Sequence, residues 1–462
     1  MSFILAKQAL TASGWQENVR LEIAPNGRIK SVEANVDLKL EQGSNANDVV
    51  VGILLPSPAN LHSHSFQRAM AGLAEQRSSK SNDSFWTWRE TMYRLVDQLD
   101  PQDIESIAAF VQMEMLEAGY CAVAEFHYCH HQAGGKPYDN IAETSASIIS
   151  AASETGIGLR LLPVLYQQGG CDGRKLNSSQ LRFYNNNDQF ERLIEQAGSA
   201  ISSLEDDSQI AIAAHSLRAV SPENLKFAAS LLPQAPFHLH IAEQQAEVDE
   251  VVAIYGQRPV LWLLNNFAVD ERWCLVHATQ VTPDEVSLLA SSHSVVGLCP
   301  ITESSLGDGI FPGRKFLDEN GAFGIGSDSN IRISLAEELR TLEYSQRLQD
   351  HRRVILASPE FSTGRVLFEQ AAIGGARAAG RNSGEISVGK LADLVALDAD
   401  AIDLIDKLGD AILDSFIFTG DNTMVTDVWS AGRHVVQQGQ HINRHKIINR
   451  YIKTLKLLKE KF

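Results

Sequence analysis

The chain has 462 residues, 44% of them apolar and 21% charged, a globular balance on a length that calls for one large barrel or a barrel with a smaller appended domain. Its 40 basic against 57 acidic residues leave a formal charge of -17, which excludes a general nucleic-acid or acidic-membrane surface and leaves any anionic ligand to a few local arginines. The 5 cysteines, an odd number without a Cys-x-x-Cys pair, argue against a disulfide framework or a thiolate zinc site and for a reducing cytoplasm.

At the N-terminus, "MSFILAKQALTASGW" has too short an apolar run for the core of a signal peptide, and no later stretch is apolar for long enough to span a bilayer. The segment "FILAKQALTASGWQENVRLEIAPNGRIKSVE" reads as strands joined by Asn-Gly and Gly turns. From about residue 52 to residue 370, short β-rich runs alternate with helical patterns such as "PQDIESIAAFVQMEMLEAG". The runs are "GILLPSPANLHSH", "CAVAEFHYCHH", "GLRLLPVLYQ", "QIAIAAHSLRAV", "FHLHIAE", "RWCLVHAT", "SVVGLCPIT" and "AFGIGSDS". Eight of them predict an α/β fold, a (β/α)8 TIM-like barrel. After the barrel, "GEISVGKLADLVALDAD" and "VTDVWSAGRHVVQQGQ" read as further strands, so both chain ends are expected to build one small β-sandwich domain. The expected division is 1–54 and 379–440 for that domain, 55–378 for the barrel and 441–462 for a C-terminal helix. This last segment, "INRHKIINRYIKTLKLLKEKF", is basic and amphipathic; in so acidic a chain it is expected to pack on its own protein or on the partner of a homodimer, not on a membrane.

Chemically capable residues end nearly every barrel run, where barrel enzymes build their active sites. His62 and His64, at i and i+2 of one strand, share a face. A His-x-His pair alone is equally at home as a hydrogen-bonded structural pair, but ligand types recur downstream. His238 and His240 share a face of the fifth run, with Glu243 three residues on, His277 ends the sixth and Asp328 the eighth. His130 and His131 read as a loop pair. "LCPITESSLGDGIFP" reads as a polar loop at the catalytic face, either a lid over a substrate or a plain connection.

"NLHSH", "HIAE", "VHA", "GSDS" and the late "GEISVGKLADLVALD" together resemble the amidohydrolase superfamily over essentially the full length. Members with two metals carry a lysine at the end of the fourth strand, whereas "IAIAAHSLRAV" offers His215 and Arg218 there, which favours the one-metal, deaminase-rich branch. The resemblance implies His62, His64, His240 and Asp328 as ligands of one Zn²⁺ per chain, with Fe²⁺ as a substitute. It implies a metal-activated hydroxide as nucleophile. Glu243 would protonate the departing nitrogen, and His277 and Asp328 would handle the attacking water. As a first-turn residue of the next helix, Glu243 also fits a purely capping role.

Within the superfamily, "SFWTWRETMYRL", "EFHYCHH" with "GGKPYDN", "HSLRAV" and "LCPITESSLGDGIFP" resemble the members that deaminate the linear amidine N-formimidoyl-L-glutamate to N-formyl-L-glutamate and ammonia in histidine degradation. Such a substrate needs arginines and neutral donors opposite the metal. The resemblance implies Gln67, Arg89, Tyr128, His215 and Arg218 in that role. The alternatives are a one-metal deaminase of a purine, pyrimidine or related ring, which would want aromatic stacking and amide readout, and a metal-binding relative without turnover.

Overall fold

The computed structural model describes residues 2–37, 48–75 and 85–461, so Ser84, at the head of "SFWTWRETMYRL", and Phe462 lie outside the described residues. The chain opens with β1 (Ser2–Thr11), β2 (Gly14–Ile23), β3 (Ile29–Glu33) and β4 (Val49–Pro56). The barrel strands are β5 (Ala59–Ser63), β6 (Ala122–His127), β7 (Gly158–Leu165), β9 (Ile212–Ser216), β10 (Phe237–Ile241), β11 (Trp273–His277), β12 (Val295–Leu298) and β13 (Ala322–Ile325), with a short β8 (Gln209–Ile210) beside β7. The chain then returns through β14 (Leu394–Leu397), β15 (Val425–Ser430), β16 (Arg433–Gln437) and β17 (Gln440–His441).

The expected (β/α)8 barrel is present: β5, β6, β7, β9, β10, β11, β12 and β13 pair in parallel, in chain order. The seam between first and last strand is closed by two backbone hydrogen bonds, His64 N–H to the Asp328 carbonyl and Asp328 N–H to the His62 carbonyl, both 2.9 Å. Period-two alternation explains the wall: Phe237, Leu239 and Ile241 of β10 join the cluster shared with helical Ile107, Leu116 and Leu289, while His238 and His240 take the other face.

The two chain ends form a mixed eight-stranded sheet in the order β17-β16-β15-β14-β4-β1-β2-β3. Its own core includes Ile4, Leu21, Ile29, Leu54, Leu394 and Trp429. The Asn26-Gly27 turn lies against this sheet so closely that a Cβ on Gly27, at φ +73°, would stand 2.2 Å from the Ala431 carbonyl oxygen.

Two expectations are corrected. The run "GILLPSPANLHSH" is two strands: β4 belongs to the end sheet and β5 to the barrel, because Pro56 and Pro58 lack the N–H a continuous ladder needs. The segment after β12 is not all loop; Pro300–Leu306 is helical, with proline at the first turn where its missing N–H costs nothing. His130 and His131 lie in the loop after β6, as expected, and are buried there, donating from Nε2 to the carbonyls of Val164 and Tyr184.

The helix Arg444–Lys461 packs on its own chain, burying Ile447, Tyr451 and Leu458 and stacking Tyr451 on Phe110 at 4.0 Å between ring centres. Sheet and barrel are tied by a quartet of charges, of which Arg381 and Asp393 are buried and Arg433 reaches the surface. Arg381 makes a bidentate pair with Asp393 (2.9 and 2.8 Å) and bonds Asp207 Oδ2 at 2.9 Å; Arg433 grips Asp207 through both oxygens at 2.7 and 2.8 Å. Among the described residues, no helix is long and apolar enough to cross a membrane.

Candidate active site

At the C-terminal mouth of the barrel, β5 delivers His62 and His64, and β10 delivers His240. A carbonyl can only accept, so His64 donates from Nδ1 to the Phe126 carbonyl and His240 from Nδ1 to the His215 carbonyl, both at 2.9 Å. That leaves each Nε2 turned into the barrel. His62 Nε2 and His240 Nε2 face each other at 3.0 Å, and Asp328 Oδ1 stands 3.5 Å from His62 Nε2 and 3.3 Å from His64 Nε2. Four ligands at about 2.0–2.1 Å from a tetrahedral ion lie about 3.3 Å from one another, so these spacings fit one divalent cation. Burial holds His62, His64 and His240 below the ordinary imidazole range, which keeps them neutral as ligation requires. Among the described residues the donor atoms fall into two trios that share His62, namely His62, His64 and Asp328, and His62, His240 and His277, each within 4.8 Å and able to hold a metal ion.

Around this set the backbone adopts left-handed conformations that non-glycine residues avoid: Ala242 (φ +50°), His277 (+70°), Ala278 (+49°), Asp328 (+46°) and Asn330 (+54°). Glu247, on the helix after β10, accepts the N–H groups of Ala242 and Glu243, each at 3.2 Å, and so holds one of these turns. His277 Nε2 lies 3.8 Å from both Glu243 Oε1 and Asp328 Oδ2, while its Nδ1 faces Glu303 Oε1 at 3.2 Å. Burial opposes a charged imidazole, but Glu243, Glu303 and Asp328 outweigh it and hold His277 up to about 10. Burial pushes Glu243 up to about 7 against the pull of His277.

Every site residue expected from the sequence except His62 lines one cavity, and His62 sits directly behind it. In the same cavity Gln67 donates to the Tyr128 hydroxyl at 2.9 Å. Arg89, on the helix Phe85–Val96, donates to the Tyr166 hydroxyl at 3.0 Å and lies over the Tyr93 ring. His215 comes from the end of β9 and Arg218 from the turn after it. Burial, aided by Arg218 and Arg89, holds His215 well below its ordinary range, so it is a neutral donor or acceptor. Trp88, Met92 and Leu306 supply apolar lining.

His130 and His131 are not among the cavity's lining residues, and His238 is bonded to the Ala378 carbonyl. Sequence reasoning passed over Glu247, Glu303 and Tyr166. Glu303 had a signal, a carboxylate five residues past a strand end at the catalytic face; Tyr166, which also accepts from Gln180 at 2.8 Å, had only its place one residue beyond β7.

Residues 53–435 match the model of the amidohydrolase family, and residues 1–41 that of the formimidoylglutamate deiminase HutF N-terminal domain. A formimidoylglutamate deiminase of Pseudomonas aeruginosa is 46% identical over 98% of this chain and 99% of its own. A 5-methylthioadenosine/S-adenosylhomocysteine deaminase of Natronomonas pharaonis is 25% identical over 76% of this chain and 74% of its own. Among solved structures, an amidohydrolase from Brucella melitensis superposes with a TM-score of 0.94 at 43% identity, covering 99% of this chain and 100% of that one. A zinc-bound adenosine deaminase from Xanthomonas campestris shares the fold, with a TM-score of 0.82 at 22% identity over 99% and 98% of the two chains.

Proposed function

The chain belongs to the amidohydrolase family as a hydrolase acting on a C–N bond, and from that premise we propose that it deaminates N-formimidoyl-L-glutamate to N-formyl-L-glutamate and ammonia in histidine degradation. One observation carries the reading: a single cavity joins two arginines, Arg89 and Arg218, to the Glu243, His277 and Asp328 cluster beside the histidine ligand set. That layout suits a linear substrate with two carboxylates at one end and an amidine at the other.

In this reading His62, His64, His240 and Asp328 hold one divalent ion, Zn²⁺ or Fe²⁺, which when bound would lower the pKa of water to about 7 and so make a nucleophile available at neutral pH. Asp328, through Oδ2, takes the proton of the attacking water. His277 directs Nε2–H at the oxygen that gains charge as water adds to the formimino carbon. Glu243, with its carboxyl poised at about 7, protonates the imino nitrogen as water adds; on collapse the proton held by Asp328 passes to that nitrogen, which leaves as ammonia, while Glu243 takes back a proton from the adduct's hydroxyl. The formimino C–NH₂ bond breaks, the carbon keeps the glutamate nitrogen, and the new C–O becomes the formyl carbonyl. Arg89 and Arg218 hold the carboxylates, and Gln67, Tyr128 and His215 orient the chain between. The free, buried cysteines are in keeping with a reducing compartment such as the cytoplasm.

The test measures ammonia release and product identity with N-formimidoyl-L-glutamate beside adenosine, guanine and cytosine. Ammonia with N-formyl-L-glutamate from the first compound alone is the expected result. Formamide with glutamate would mean that the other C–N bond breaks, and turnover of a ring substrate in preference would replace the proposal with a ring deaminase.

A further inference from the structure

His64 and His240 are oriented by main-chain carbonyls, but His277 is oriented by a side chain on another element, Glu303 of the helix Pro300–Leu306. Glu303 Oε1 receives the Cys299 N–H at 2.9 Å, so that oxygen acts as an acceptor, and His277 Nδ1, 3.2 Å away, is the donor to it. With Nδ1 committed, Nε2 is the nitrogen turned to the cavity, 3.8 Å from Glu243 and from Asp328.

The stacking of His277 on His240 does not by itself enforce this choice. The His277 ring lies nearly parallel to that of His240, with centres 5.4 Å apart and an interplanar angle of 10°. A half-turn about its Cβ–Cγ bond would preserve that stacking while exchanging nitrogens for carbons on both edges. Nor is Glu303 explained by the helix start alone. That end has a second carboxyl, Glu338, whose Oε2 accepts the Ile301 N–H at 2.8 Å, and only Glu303 of the two bonds His277.

We propose that Glu303 is a positioning residue for the deamination: it anchors His277 through Nδ1 so that Nε2 meets the reacting oxygen. The kinetic part rests on the function proposed above; the orientation itself does not. The test uses full-length protein labelled with ¹⁵N-histidine, the signals of His277 being identified by their loss in His277→Gln. A hydrogen-bonded ring N–H of His277 is expected in the wild type and in Glu338→Gln, and its loss in Glu303→Ala, read without any substrate. In metal-loaded protein, Glu303→Ala should lower kcat about 10- to 100-fold, the range seen when a group that orients a metal-site histidine is removed, with KM within about twofold. Glu303→Gln should recover part of it, since an amide oxygen can accept the same proton. If Glu303→Ala does not fold, Glu303→Met fills the space without an acceptor and takes its place. An unchanged ring N–H signal in the acceptor-free variant overturns the orientation claim whatever the substrate proves to be. An equal kcat loss in Glu338→Gln, or a loss confined to KM, overturns the positioning role.

Discussion

Replacing Arg89 by methionine isolates the recognition of one substrate carboxylate. The side chain stems are similar in volume, so the perturbation is loss of a guanidinium that the Tyr166 hydroxyl holds at 3.0 Å and the Tyr93 ring backs from below. A hydrogen bond to a charged group is worth about 1.5–3 kcal/mol, which converts to a fall in kcat/KM of roughly 10- to 160-fold. Tyr166→Phe should have a smaller effect, because it leaves the guanidinium present over the Tyr93 ring with one hydrogen bond fewer. One neutral-partner hydrogen bond of about 0.5–1.5 kcal/mol gives roughly 2- to 13-fold. Steady-state ammonia release would be measured on N-formimidoyl-L-glutamate and on an analogue in which the side-chain carboxylate is an amide, with the α-carboxamide as its counterpart. One of the two analogues should already be slow with the wild type and lose less than about threefold more in Arg89→Met, since the missing charge cannot be missed twice. Arg218→Met should show the complementary pattern. Equal losses on all three compounds in Arg89→Met would refute a carboxylate contact and make Arg89 a structural residue of its helix.

Glu243→Gln should keep its metal by elemental analysis while kcat falls at least about 10²-fold; near-normal turnover would return Glu243 to a helix-capping role. His62→Ala and Asp328→Ala should each retain well under one equivalent of metal and lose activity, and a fully loaded variant would strike that residue from the ligand set. In the clamp between sheet and barrel, burial would raise Asp207, but Arg433 and Arg381 outweigh it and hold its carboxyl below the usual range. A depressed folded pKa stabilises above the unfolded value of about 3.9 and is lost as pH falls through the folded one. Asp207→Asn should therefore lower thermal stability at pH 7, by about 3–5 kcal/mol if the pair is broken outright, and the gap to wild type should close below about pH 4. A gap that persists undiminished in acid would show that packing, not charge, holds that joint.

The barrel was legible because its information is local: alternating apolar runs, helical periods, and polar residues where each run stops. The candidate ligands stood out for the same reason, since His62, His64 and His240 lie at or next to the ends of their strands and Asp328 three residues beyond one, but it was the family resemblance that joined them into one set. What escaped lay between elements. A continuous apolar run hid the break at Pro56 and Pro58, which only strand partners reveal, since β4 pairs with β1 and β14 while β5 pairs with β6. Glu303 was hidden in a stretch whose glycines and serines read as loop. The clamp joins Arg433 to Asp207 across 226 residues, and no local pattern marks such a pair. His130 and His131 follow a strand like many exposed loop residues, and their burial comes from the segment around Arg182, whose carbonyl accepts both of their N–H groups.

The seam of the barrel has a consequence for the nascent chain. The residues that meet across it, Asn60 with Ser327 and Ser63 with Asn330, are 267 positions apart. At about 5–20 residues per second, His62 and His64 leave the ribosome roughly 13–50 s before Asp328 is made. During that interval the imidazoles have no carboxylate opposite them and the first strand has an unpaired edge. The metal site proposed above is thus complete only when the last strand docks, and a chain cut short anywhere before Asp328 lacks both the strand that closes the barrel and one of the proposed ligands.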